Sequence, residues 1–376
     1  MLEKFEADLN DLASRGRLRS LRGRAGIDFT SNDYLGLAES DELRRAASDA
    51  IARGVPVGAG GSRLLRGNHP EHEALEVEAA TYFGAETALY FGGGFVANHA
   101  IFSTLPQRGD LVVHDELVHA SVHEGLRSGR ADRVAVAHNN IDAFDAAIAR
   151  WRAAGGKGRP WISVESLYSM DGDSPDIAGL FAVADRHEAM VVIDEAHATG
   201  VLGPQGRGLA APFEGRDNVI TLHTCGKGLG TVGGFILAPR TIRDFLVNRA
   251  RPFIFATAPS PLTAAITRSA LEISRTNPER RERLAGLVQF ASGELSRRCG
   301  IAPSGSQIIP VVIGADRAAV AVAASLQQRG FDIRAIRPPT VPEGTARLRI
   351  ALTLNVDEAV VAELFEALAE DMRKAA

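Results

Sequence analysis

Along the 376-residue chain, short apolar runs rich in β-branched residues alternate with longer stretches in which apolar positions recur at helical spacing. The short runs are TALYF (87–91), DLVVH (110–114), RVAVA (133–137), WISVE (161–165), MVVID (190–194), VITLH (219–223) and GFILA (234–238). They are apolar at nearly every position, as strands buried on both faces are. Their alternation with helices predicts an α/β fold with a mainly parallel seven-stranded sheet between helices. Ala74–Phe83, Ile141–Arg152 and Ile177–His187 carry the helical period, and Asp176 is placed to cap the last of them. Beyond about residue 278 the pattern changes to a polar helix (Pro278–Arg298), QIIPVVI (307–313), a helix, FDIRAI (331–336), RLRIAL (347–352) and a closing amphipathic helix. The expected organisation is an N-terminal segment (1–40), a large domain (41–277) and a smaller C-terminal α+β domain (278–376), with no internal repeat.

Composition narrows the class without changing that picture. Hydrophobic residues make up 45%, charged residues 23%, and the formal charge is −4, an ordinary globular balance that gives no reason to expect nucleic acid or a membrane as partner. Cys225 and Cys299 are the only cysteines, which excludes a disulfide framework and favours a reducing compartment. The opening MLEKFEADLND carries acids where a signal peptide has its apolar core, and no apolar run nears the ~18 residues of a membrane span, so a cytoplasmic protein is expected. Glycine, 38 of 376 residues, is in excess of the usual ~7%.

Three segments carry candidate chemistry. In Thr221–Gly230, Lys227 stands among glycines just after a buried strand, where open α/β sheets bind ligands. Desolvation there favours Schiff-base chemistry, although a surface lysine in a turn would read the same way. Gly228 follows the lysine, so the segment is not a Walker-type phosphate loop. In Val191–Gly200, Asp194 ends a hydrophobic strand and His197 follows three residues on, so both can face one pocket. A buried aspartate needs a cationic or hydrogen-bonding partner; a protonated pyridine nitrogen would serve, whereas the plainer reading is a capping aspartate and a satisfied histidine. In Tyr90–Asn98, a strand passes through Gly92, Gly93 and Gly94 into a helical pattern, an anion site of weak specificity that lacks the dinucleotide spacing G-x-G-x-x-G. A phosphate site, a lysine and an Asp/His strand end together suggest pyridoxal 5′-phosphate (PLP).

On these motifs the chain resembles the α-oxoamine synthase family of fold-type-I PLP enzymes, which have an aspartate aminotransferase-like fold. The resemblance runs nearly end to end, through Phe29–Leu37, Gly58–Arg63, Ser169–Asp173, the Asp194 and Lys227 segments, Ile336–Pro342 and Gly344–Arg349. It implies that Lys227 carries the cofactor, that Asp194 pairs with the ring nitrogen and that His197 and Ser169 contact the ring hydroxyl. His119 would stack on the ring, and Gly94, Phe95 and Thr224 would surround the phosphate. Thr257 would reach that phosphate from the neighbouring subunit of a homodimer. Asn32 and Arg349 would hold the amino-acid carboxylate, and Arg22 would meet the acyl substrate. The stretch Ile336–Pro342 resembles members that join L-alanine to a pimeloyl thioester, on coenzyme A or an acyl carrier protein, more than those that use glycine or serine. A glycine- or serine-using acyltransferase and a non-catalytic PLP-binding protein remain the alternatives. Arg63 stands where several relatives have glycine, and Cys225 lies within the lysine motif.

Other clusters invite plainer readings. His114, His119 and His123 have a spacing that can present metal ligands, but no H-E-x-x-H or cysteine pair accompanies them, and no metal is expected. Pro70 makes His69-Pro70-Glu71-His72 a helix start with one solvated histidine. Arginines at 15, 17, 19, 22 and 24 form either a solvated face or a contact for an acidic carrier or a carboxylate tail.

Overall fold

In a computed structural model, residues 2–375 are described, and they divide into two compact units. The larger comprises Leu35–Ser169 and Ser174–Arg281. Its seven strands are β1 (Thr87–Phe91), β2 (Leu111–Asp115), β3 (Asp132–Val136), β4 (Pro160–Glu165), β5 (Met190–Asp194), β6 (Val219–Thr224) and β7 (Gly234–Ala238). They form one sheet in the order β1-β7-β6-β5-β4-β2-β3. The ladders from β6 through β5, β4 and β2 to β3 are parallel, and β7 is antiparallel to both its neighbours.

Strand pleating distributes the apolar runs between two cores, because successive side chains point to opposite faces. Val112, Met190, Val192, Ile220 and Ile236 pack against helices Gly94–Thr104, Ala120–Ser128 and Arg240–Arg249. Val113, Ile162, Val164, Val191 and Ile193 pack against helices Ile141–Ala153 and Ile177–His187. Each such aliphatic side chain, fully buried, contributes roughly 1.5–3 kcal/mol, so both faces hold the sheet. Six of the seven strands are buried throughout; β3 is the exception, with four of its five residues exposed. RVAVA reads like the other runs, but β3 is the sheet edge, where Asp132 and Arg133 keep the strand solvated.

Local signals set the helix starts. Asp176 accepts from Gly179 N–H at 3.0 Å to cap Ile177–His187. Pro70 opens helix Pro70–Phe83, as expected, with His69 partly exposed and His72 buried. His69 Nδ1 accepts from Glu71 N–H at 3.1 Å, and His72 is fully buried with Nε2 2.8 Å from the Pro259 carbonyl.

The second unit comprises Met1–Tyr34, Met170–Asp173 and Glu282–Ala376. It holds a three-stranded antiparallel sheet of β8 (Ile308–Gly314), β9 (Ala335–Ile336) and β10 (Ala346–Ala351), in the order β9-β10-β8. The FDIRAI run does not form one strand. Phe331–Asp332 pairs in parallel with Ile27–Asp28, and the chain then changes ladder, so that Ala335–Ile336 pairs with β10. At the change Ile333 is buried and Arg334 folds back onto Asp332. Among the described residues no helix is long and apolar enough to cross a membrane.

Candidate active site

The C-terminal ends of β2, β4, β5 and β6 share one edge of the sheet because these strands are parallel. Each ends on a buried polar residue: Asp115, Glu165, Asp194 and Thr224. Burial of polar groups at strand ends, where the ladder stops, makes this edge the place where a ligand can be held.

Lys227 and His197 meet there, with Lys227 Nζ 2.8 Å from His197 Nε2. A single hydrogen can occupy that line, so an amine and an imidazole share one proton across the contact. Asp194 is fixed by two donors: Asn98 Nδ2 reaches Oδ2 at 2.7 Å, and the Ala196 N–H reaches Oδ1 at 2.9 Å. Asn98 also donates to Ser121 Oγ at 3.0 Å, and Ser121 Oγ lies 2.8 Å from His119 Nδ1. His119 Nδ1 also accepts the Ser121 backbone N–H at 3.3 Å. These partners make Nδ1 the bare nitrogen, so the ring proton sits on Nε2. Burial keeps His119 below its ordinary value; the Lys227 charge adds to this and Asp194 opposes it. Phe95 meets the His119 ring edge to face, with centroids 6.3 Å apart.

Helix Gly94–Thr104 begins with Gly93 as N-cap and has no side-chain cap, so its first-turn N–H groups lack intrahelical acceptors and form an anion site. A Cβ added to Gly94 would lie 3.6 Å from Thr224 Oγ1, and one added to Gly234 would stand 3.0 Å from Gly94 N. The glycine excess therefore has a local use here, since a side chain at 234 would press on the helix start. Ser169 is buried, with its N–H on Glu165 Oε2 at 3.1 Å. An uncapped helix start beside Thr224, a lysine and a fixed buried carboxylate are the donor set that a phosphorylated pyridine aldehyde requires, and the residues present fit PLP.

The larger unit thus brings together Gly94, Phe95, His119, Ser169, Asp194, His197, Thr224 and Lys227 on one edge. Thr257 lies in the same unit but on the exposed segment between helices Arg251–Ile254 and Pro261–Thr276, outside that hydrogen-bonded group. In the smaller unit, Arg349 Nη2 donates to Asn32 Oδ1 at 2.9 Å and to Tyr34 Oη at 3.2 Å, so Asn32 and Arg349 are adjacent as expected. Arg22 is exposed; it contacts Gln327 at 3.4 Å and lines a cavity of about 520 Å³ with Arg19, Arg337 and the Val320–Ala324 face of helix Asp316–Gln328. Of the N-terminal arginines, Arg15 pairs with Asp11, and Arg17 pairs with Asp316 and Glu343. His114 and His123 pack edge to face, and His114 Nδ1 lies 2.9 Å from the Asp115 carbonyl.

Three residues of this edge escaped the sequence reading: Asn98, Ser121 and Glu165. Asn98 stands four residues after Gly94, hence on the same helix face, and is the one amide in an otherwise apolar helical stretch. WISVE ends in a carboxylate just as MVVID does, and that parallel is the signal that would have found Glu165.

Comparison with known proteins shows the family and the fold. The profile of the family "Aminotransferase class I and II" matches residues 24–368. The 8-amino-7-oxononanoate synthase of Anaeromyxobacter dehalogenans is 41% identical over 98% of this chain and 95% of the relative. That of Gluconacetobacter diazotrophicus is 40% identical over 94% and 89%. Among solved structures, Sphingomonas wittichii serine palmitoyltransferase superposes with a TM-score of 0.89 at 26% identity, covering 99% of this chain and 97% of that one. The 8-amino-7-oxononanoate synthase of Francisella tularensis superposes with a TM-score of 0.78 at 24% identity, over 93% and 98%, a likeness of fold. Fold and edge chemistry together define a fold-type-I, PLP-dependent enzyme of the aminotransferase class I and II group. Within that group the chain belongs to the 8-amino-7-oxononanoate synthase family, whose members are C-acyltransferases.

Proposed function

We propose that this protein condenses L-alanine with a pimeloyl thioester to give 8-amino-7-oxononanoate, CO2 and the free thiol, a step of biotin biosynthesis. The observation that carries the proposal is the meeting of Lys227 with His197 at 2.8 Å on the edge where Asn98 and Ala196 hold Asp194. Near-full-length identity of about 40% to the named synthases supports the choice of substrates.

When bound, PLP supplies an electron sink for the charge that develops at the alanine Cα. Lys227 Nζ holds the cofactor before alanine arrives and, once displaced, takes the Cα proton. Asp194 would pair with the ring nitrogen and keep its proton in place, its two donors fixing the carboxylate so that no reorganisation is needed. His197 and Ser169 hold the ring hydroxyl. The first-turn N–H groups at Gly94 and Phe95 take the phosphate with Thr224, and Thr257 of a second copy completes that cradle. His119 stacks on the ring and, with its proton on Nε2, donates to the thioester carbonyl as negative charge grows there. Arg349 and Asn32 take the alanine carboxylate, for which a guanidinium fork is suited, and Arg22 takes the acyl chain's distal end. The overall change forms a bond from Cα to the acyl carbon, breaks the C–S bond and releases the alanine carboxyl as CO2.

Exposed apolar side chains on the larger unit, among them Val57, Leu65, Val232 and Phe255, support a homodimer as the working form. The two cysteines are both free, Cys225 fully buried, in keeping with a cytoplasmic enzyme. The test is to load the protein with PLP and offer alanine, glycine or serine with pimeloyl-CoA or the pimeloyl carrier protein while following thiol release. Thiol release with alanine well above the other two supports the proposal; release with serine or glycine alone, or with none, contradicts it.

A further inference from the structure

Glu165 is used by no step above, yet it is a buried charge-bearing group of the edge. It ends β4 and lies in ladder register with Asp194 at the end of β5, so the two carboxyls are on adjacent strands. Its side chain is buried, and Oε2 accepts the Ser169 backbone N–H at 3.1 Å. Oε1, fully buried, has no hydrogen-bond partner. The carboxyl therefore holds the backbone at Ser169, on the segment that leaves β4.

We propose that Glu165 is a positioning residue for the cofactor: its carboxyl, accepting the backbone N–H of Ser169, sets the place of the Ser169 hydroxyl where the PLP ring binds. This rests on the assignment of Ser169 to the ring. Glu165 does so as a neutral acid, with its proton on the otherwise unpartnered Oε1. Two like charges on adjacent buried strand ends repel strongly, and only Asp194 has side-chain and backbone donors on both oxygens. The groups that bear on Glu165 are Asp194 on β5, Lys227 beyond β6, His119 beyond β2 and Tyr168 beyond β4. Burial and the Asp194 charge push its carboxyl well above the ordinary range, against the opposing pull of Lys227 and the Ser169 backbone N–H. A neutral carboxyl leaves Asp194 as the one anion at the ring nitrogen, and neutralising that position costs nothing at Glu165.

The test uses the PLP-loaded protein with Glu165→Gln and Glu165→Ala, reading three quantities: the visible absorbance of the Lys227-bound cofactor against pH, its visible circular dichroism and the dissociation constant for PLP. Glu165→Gln keeps the shape and an acceptor oxygen and removes no charge, so its absorbance midpoint should stay within about 0.3 pH unit of wild type, and its dichroism and PLP affinity should match. Glu165→Ala removes the tie, so its dichroism should fall and its PLP dissociation constant rise by about tenfold, the scale of one lost buried hydrogen-bonded group. A midpoint lowered by a unit or more in Glu165→Gln would show a charged Glu165 and overturn the proposal, even if Glu165→Ala does not fold. Unchanged dichroism and affinity in a folded Glu165→Ala would overturn it as well. A wild-type protein that shows no Lys227-dependent absorbance would instead overturn the site assignment on which the proposal rests.

Discussion

His223 makes the strand that delivers Thr224 and Lys227 sensitive to acid. It lies in β6, fully buried, with its ring tilted against Phe83 at a centroid distance of 3.9 Å. The single hydrogen of Thr199 Oγ1 goes to the Glu195 carbonyl at 2.7 Å, so at the 2.9 Å contact with His223 it is Nδ1 that donates. Nε2 is then bare and buried without a partner, and protonating it would place an unsatisfied N–H and a charge in the core. Burial accordingly lowers the ring from 6.5 to about 3. A base whose folded value is depressed contributes its full stability above its unfolded value and loses it as pH falls from there toward the folded value. At pH 5 the window already entered spans about 1.5 units, worth about 2 kcal/mol relative to pH 7 at roughly 1.4 kcal/mol per unit. His223→Asn keeps an amide N–H for Thr199 and cannot titrate. Urea unfolding of the PLP-free protein at pH 7 and pH 5 should show wild type losing about 2 kcal/mol more than the variant over that interval. Equal losses in the two proteins would refute this reasoning, whatever the variant's absolute stability.

Two further outcomes follow from the hydrogen bonds of the two units. Asn98→Ala strips a buried carboxylate oxygen of Asp194 of its 2.7 Å donor, and a bond to a charged group is worth about 1.5–3 kcal/mol; a lower urea midpoint in the PLP-free protein is expected, and an unchanged one would count against the contact. Arg349→Lys replaces a fork by a point charge beside Asn32, so the KM for alanine should rise by roughly tenfold or more while PLP affinity holds; loss of PLP affinity with KM unchanged would reverse the assignment.

Much of the larger unit was legible because fully buried parallel strands announce themselves as continuous apolar runs. MVVID and VITLH fix β5 and β6, and with them the positions of Asp194 and Lys227. What the runs do not encode is their place in the sheet, since RVAVA is as apolar as its neighbours and lies at the edge. Nor do they encode a change of partner within a run, which is why FDIRAI reads as one strand and forms parts of two ladders. Single-residue chemistry that stands after a strand was legible, as for Lys227 and His197. Residues that act by holding another residue were not: Asn98, Ser121 and Glu165 are recognised by what they touch, and contact between segments remote in sequence leaves no local pattern. The burial of His72 was hidden for a related reason, because it depends on Pro259, far along the chain.

The proposed function requires Lys227 to be the residue that holds the cofactor. The chain has four lysines, at 4, 157, 227 and 374, so the claim can be read directly. Borohydride reduction of the PLP-loaded protein, followed by proteolysis and mass spectrometry, should find one phosphopyridoxyl group per chain, on the peptide containing Thr224-Cys225-Gly226-Lys227. The same label on the Lys4, Lys157 or Lys374 peptide in place of Lys227, or no label at all, would contradict it.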